Sequence, residues 1–153
     1  MADIQEVVQT WKAYTDSIQD WHQLIVDIEP KVGGCGLVYE LTNPIERPDE
    51  SFAIADMSSL EVAEPHYHPD GVTEIYIVLE GLGLTVVGGK EQEVRPGDVV
   101  VTPPNTAHFT VPDSLVLAVI NTPPFQEGDY IPLTDTDERV LFDRAQFERL
   151  TAA

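Results

Sequence analysis

Two histidines separated by a single residue, His66-Tyr67-His68, constrain this chain more than any other feature. On an extended strand, residues two apart point to the same face, so both imidazoles can reach one point in space. On a helix they diverge by roughly 200° and cannot easily share an ion. The flanking sequence reads as strand. Glu74 follows just ahead of an apolar strand, and His108 follows a Gly-Asp-Val-Val-Val-Thr-Pro-Pro run that starts at Gly97. Neutral imidazole nitrogens and one carboxylate oxygen make a mixed donor set. It suits Fe(II), Mn, Ni, Co or Zn far better than Ca or Mg.

The rest of the chain fits a β framework with helical ends. Between residues 3 and 29, Ile4, Trp11, Ile18 and Ile25 recur every seven, and Val7, Tyr14, Trp21 and Ile28 follow each by three. That is an apolar stripe on one helix, or on two with a break near Thr15-Asp16-Ser17. The stripe is expected to pack against a barrel. Strands are expected at 37–41, 52–62, 74–80, 82–87, 92–94, 99–102, 107–111 and 115–121. Gly88-Gly89 and Arg95-Pro96-Gly97-Asp98 are the turns. Pro123-Pro124 breaks the ladder, residues 125–141 read as an irregular wrap, and Asp143 caps a final helix through Leu150. In the strand at 74–80, Glu74, Tyr76 and Val78 share one face, while Ile75, Ile77 and Leu79 share the other. Both faces must be covered, the outer one by the N-terminal helices or by a second subunit.

The spacings resemble the cupin superfamily. Its first motif pairs a His-x-His with a glutamate and a later glycine, matched here by His66, His68, Glu74 and Gly81. Its second motif is matched by Gly97, Pro103 and His108. The departures are specific. Leu60 stands at a frequent glycine, five residues separate His68 from Glu74 where the motif has three or four, Asn105 replaces a glycine, and Pro112 replaces the closing asparagine. Asparagine tolerates left-handed backbone, so the turn at Asn105 can survive.

The resemblance implies an antiparallel double-stranded β-helix, a jelly-roll barrel over 35–124. An N-terminal helical extension over 1–30 precedes it, and a C-terminal wrap and helix over 125–153 follow. It implies one divalent transition metal held by His66, His68, Glu74 and His108, with Glu74 the ligand most exposed to the longer loop. Four such donors leave two positions of an octahedron open, and a divalent ion there keeps about one net positive charge. A small oxygenated metabolite could be chelated at those positions. A mononuclear Fe(II) dioxygenase is the first candidate. A non-redox isomerase, epimerase or lyase is the alternative, and a non-catalytic module that binds a small ligand through the metal is a third. Small cupins commonly pair, so a homodimer is expected.

Composition bounds the rest. At 153 residues the chain makes one domain, and no apolar run approaches membrane-spanning length. The net charge of -19 argues against nucleic acid and anionic membranes as partners, because phosphate binding needs clustered Lys and Arg. A lone cysteine, Cys35, excludes an intrachain disulfide, and with an acidic N-terminus it points to the cytoplasm. Cys35 reads as a small core residue far from the motifs. His22 lies on the helical segment and is left out of the site. Tyr76 is a possible pocket residue, whereas Tyr67 and Phe109 alternate with the histidines and read as packing.

Overall fold

The computed structural model describes residues 3–133 and 140–152. Helix α1, Ile4–Asp16, starts where the Asp3 carboxylate accepts the Gln5 N–H at 2.9 Å. It buries Val7, Trp11 and Thr15, which recur every four residues on one face. The stripe then breaks, as expected, but Asp20 rather than the Thr15–Ser17 run caps the next element, a 3₁₀ helix over Trp21–Ile25.

Nine strands follow: β1 Lys31–Gly33, β2 Gly36–Leu41, β3 Ser51–Asp56, β4 Ala63–Tyr67, β5 Thr73–Val87, β6 Lys90–Val94, β7 Val99–Thr102, β8 His108–Thr122 and β9 Ile131–Pro132. Helix α2 spans Arg144–Thr151 and is capped by Asp143, which accepts the Gln146 N–H at 3.0 Å. All pairings are antiparallel. The order β1-β2-β3-β8-β4-β9 forms a curled sheet, and β5 joins it beside β8 while also pairing with β6 and β7. The fold is mainly β, a jelly-roll half-barrel with a helix at each end.

The expected strand boundaries change in three places. The strands expected at 74–80 and 82–87 are one bent strand, β5, and those at 107–111 and 115–121 are likewise one, β8. Their mutual register shifts between Val78 and Leu82. Gly81 sits at this bend with φ 82°, and a side chain there would meet the Ser114 backbone. The stretch expected at 52–62 stops at Asp56, whose carboxylate accepts the Ser58 N–H at 2.9 Å and turns the chain toward β4. In the expected wrap at 125–141, Ile131–Pro132 pairs with β4, and residues 134–139 lie outside the described residues.

Alternation along the long strands separates two apolar layers. Ile54, Ile75, Ile77, Val116, Ala118 and Ile120 face outward and pack beneath Val7, Trp11 and Trp21. Trp11 stacks on Phe52 with ring centroids 5.0 Å apart. The bidentate pair from Arg47 to Glu6, at 3.0 Å on both oxygens, ties α1 to the loop before β3. The helices therefore cover the outer face within the chain. The inner layer holds Ala55, Met57, Tyr76, Val78, Val100, Leu115 and Leu117. At the far edge, Phe109 meets Phe142 and Phe147 and docks α2. Among the described residues, no helix is long and apolar enough to cross a membrane.

Candidate metal centre

Strand pairing brings the first and second motifs together. His66 on β4 lies directly opposite His108, the first residue of β8. His68 follows just beyond β4, and Glu74 enters on β5. The longer loop between them is absorbed by a tight turn in which the Val72 N–H donates to the Pro69 carbonyl at 3.2 Å. Asn105 takes φ 55°, the left-handed backbone expected of it, and its N–H donates to the His68 carbonyl at 2.8 Å. Its side-chain amide also reaches Asp70, in that same turn. Two of the four departures, the longer loop and Asn105, are thus resolved in one pair of bonded turns.

All four candidate ligands converge. Ligand atoms of His66, His68, Glu74 and His108 lie within 4.8 Å of one another, and all four residues are buried. Each Nδ1 faces a backbone carbonyl: His66 that of Glu64 at 2.9 Å, His68 that of Asp129 at 2.7 Å, His108 that of Thr106 at 3.0 Å. A carbonyl can only accept, so Nδ1 carries the proton and Nε2 presents its lone pair. All three Nε2 atoms are buried with no hydrogen-bond partner. Glu74 approaches His68 Nε2 at 3.0 Å and His108 Nε2 at 3.3 Å, close in distance but not in hydrogen-bond direction. Three buried lone pairs around one carboxylate are costly unless a cation sits among them. The donor set fits a borderline transition ion, so the four residues could hold a metal.

The electrostatics of the four differ. Burial, reinforced by His108, pushes the His66 imidazole down to about 3, so it stays neutral. Burial also works against charge on His68, but Glu74 and the Asp129 carbonyl outweigh it and raise its value. Burial opposes the Glu74 carboxylate as well, yet His68 and His108 hold it well below the usual range.

His66, His68 and Glu74 line a cavity of about 440 Å³. Val38, Ala53, Ala55, Met57, Val119 and Phe125 give apolar walls, and Tyr76 and Asn121 add polar groups. Tyr76, the candidate pocket residue, lies two positions beyond Glu74 on the same face and is fully enclosed. Tyr67 and Phe109 point away, into packing against Val140 and the α2 aromatics. His22 stacks on Trp21, outside this site. Cys35 requires a correction: it lines the cavity, because the β1–β2 turn folds over the mouth. Burial first, then the charges of Glu74 and Glu64, push its thiol up to about 12, so it stays protonated.

A family model for the cupin domain matches residues 55–115, the stretch that carries both motifs. The chain carries a cupin domain over this stretch. A protein of Methanocaldococcus jannaschii is 38% identical over 56 residues, which cover 37% of this chain. That match spans 42% of the relative's own length. Streptomyces Pac13, described as a nucleoside dehydratase, superposes with TM-score 0.60 at 14% identity, covering 74% of this cupin and 92% of Pac13. KdgF from a Halomonas species gives TM-score 0.52 at 25% identity, covering 63% and 86%. A Planctomyces limnophilus protein gives 0.60 at 22%, covering 70% and 91%. These structures share the cupin's fold.

Sequence reasoning missed a second group of residues. The Tyr130 ring stacks on His66, with centroids 4.2 Å apart and planes at 23°. Its hydroxyl donates to the Glu64 carboxylate at 2.6 Å, on the wall of the cavity. Burial, with Glu64, raises the Tyr130 phenol and keeps it protonated. Glu64 serves twice, through its carbonyl to His66 and through its carboxylate to Tyr130. No local signal marks the pair, because the register of β4 shifts between Ala63 and His66 and simple alternation fails there.

Proposed function

We propose that this cupin is a metal-dependent enzyme acting on a small oxygenated metabolite. One observation carries the reading: three partnerless Nε2 lone pairs and a buried carboxylate converge, and His66, His68 and Glu74 of that cluster line a largely apolar cavity. His66, His68, Glu74 and His108 would hold one divalent ion, which when bound supplies Lewis-acid polarisation of substrate oxygens. The chain's own residues supply the rest. Apolar walls exclude water and strengthen every polar contact inside. Tyr130 holds a protonated hydroxyl on the cavity wall and donates it to the carboxylate of the exposed Glu64.

This hydroxyl–carboxylate pair favours proton-transfer chemistry, an isomerase, epimerase or lyase, within the metal-dependent class. The dioxygenase is the second reading, favoured by the three-histidine, one-carboxylate donor set beside apolar walls that suit a nonpolar gas. Low-identity likeness to a nucleoside dehydratase agrees with the lyase reading only at the level of fold. A cytoplasmic location is part of the proposal and rests on the lone cysteine.

Metal analysis of protein purified without chelators tests the premise. A stoichiometric transition ion is expected; no bound ion, with no rise in melting temperature on adding Fe, Mn, Ni, Co or Zn, refutes it. Reaction class follows from a panel of hydroxy and keto acids. Deuterium uptake from D₂O with the Mn, Ni or Zn form supports proton transfer, whereas oxygen consumption with the Fe(II) form supports the dioxygenase. Chelation without turnover leaves a binding protein.

A further inference from the structure

The inner face of the sheet carries a row of four polar side chains at the level of the metal ligands. Ser51 lies opposite Asn121, Asn121 opposite Glu74, and Glu74 opposite Thr102. Directly opposed residues of antiparallel strands share a face, with Cβ atoms about 4.5–5.5 Å apart. The next row inward, Ala53, Val119, Tyr76 and Val100, has Tyr76 as its one polar member. Ser51 is satisfied, because its Oγ accepts the Phe125 N–H at 2.9 Å. Asn121 is not. It is 4% exposed, it lines the cavity, and its Oδ1 is enclosed without a donor. Thr102 Oγ1, at the end of the same row, is likewise enclosed without a partner, but of the two only Asn121 lines the cavity, so its acceptor calls for a partner from outside the chain.

Charge limits what that partner can be. Among the described residues that line the cavity, Lys31 is the sole cation, and it sits exposed at the rim, paired with Glu40 at 3.0 Å. A phosphate or a dicarboxylate would meet no cationic side chain beside the metal position.

We propose that Asn121 is a specificity residue whose amide oxygen accepts a hydrogen bond from a hydroxyl or N–H of an oxygen-chelating, unphosphorylated substrate with at most one negative charge. The proposal rests on the metal-dependent reading above. Because Asn121 stands beside Glu74, the donor must lie within a bond or two of the chelating oxygens. That geometry describes an α-hydroxycarbonyl or an ene-diol.

Two small chelators separate the possibilities. Acetohydroxamate binds metals through two oxygens and carries an adjacent N–H; its N-methyl analogue chelates alike and lacks the donor. Calorimetric titration of the Ni(II)-loaded protein, corrected for each probe's affinity for free Ni(II), is expected to favour acetohydroxamate about three- to tenfold. Asn121→Leu should abolish that preference and leave the N-methyl affinity unchanged. Phosphoglycolate should bind no more tightly than acetohydroxamate. Equal corrected affinities in the wild type overturn the role of Asn121 and leave chelation intact, as does a preference that persists in Asn121→Leu. Failure of both probes to bind a protein that retains Ni(II) overturns the chelation reading and this inference with it. Should Asn121→Leu misfold, the wild-type ratio still decides, with Asn121→Ser as the second variant.

Discussion

The carbonyl oxygen of Asp129 accepts a hydrogen bond from His68 Nδ1 at 2.7 Å, joining two residues 61 positions apart. The C-terminal wrap therefore sets the tautomer of a candidate ligand, and the Asp129 side chain shapes that wrap by accepting the Gln126 N–H at 2.9 Å. Asp129→Ala should loosen the turn without touching the donor set. Loss of such supporting contacts typically lowers metal affinity about 10- to 100-fold, and the low end is expected here because the carbonyl remains. Competition against a chromophoric chelator measures it, and an unchanged affinity would show that the wrap is a bystander.

Removing a donor should cost far more than loosening one. His68→Ala is expected to abolish stoichiometric metal binding, and Glu74→Gln to weaken it less, since an amide oxygen still coordinates without charge. Bound metal should raise the melting temperature, because the donors come from separate strands. Elemental analysis and thermal melts of the three proteins provide the check. Equal metal content in all three would place the ion elsewhere.

Acid should destabilise the chelator-treated protein through His66. Its folded value, about 3, lies below the ordinary 6.5, so the unfolded chain binds more protons between those limits. Stability therefore falls as pH drops from 6.5 toward 3. His68, with its raised value, acts in the opposite sense at higher pH: its contribution is complete below 6.5 and fades as pH rises through the folded value. Glu74 adds a loss only below 4.5. His66→Gln should thus flatten the decline between pH 6.5 and 4.5 in urea titrations. A slope identical to that of wild type would remove His66 as its cause.

Trp11 is fully buried between α1 and the sheet, stacked on Phe52 with its indole N–H on Glu50 at 3.3 Å. Trp11→Ala should cost about 3–5 kcal/mol, the range for truncating a core aromatic. Denaturant titration would read that loss. A change below about 1 kcal/mol would mean that the N-terminal helix is accessory to the barrel.

The homodimer is proposed on different grounds from those first apparent in the sequence, because the outer face of β5 is already covered by α1 and the 3₁₀ helix. Among the described residues, strand β1 instead ends the sheet order as an edge strand, with Val32 83% exposed. Light scattering at micromolar concentration should give twice the monomer mass, and Val32→Lys should shift it toward monomer. A monomer mass in the wild type ends the proposal.

Local patterns in the sequence determined much of this cupin. Alternation alone grouped Glu74, Tyr76 and Val78 on one face and Ile75 and Ile77 on the other, and the His-x-His spacing put His66 and His68 on one wall. Asp143 announced its helix by the chemistry of a cap. These are period and propensity effects, legible because they act within a few residues. The bend that fuses two expected strands into β5 was hidden, since a bulge keeps the apolar texture on both sides of Gly81. Only the tertiary structure decided which backbone carbonyls hold the three imidazoles, that Tyr130 covers His66, that Cys35 lines the cavity, and that Asn121 stands beside Glu74. Every residue carries a carbonyl, so no residue type marks the ones that Nδ1 will find. Cross-strand neighbours are likewise fixed by the register between distant segments, which depends on the packing of whole faces and leaves no mark in the local sequence.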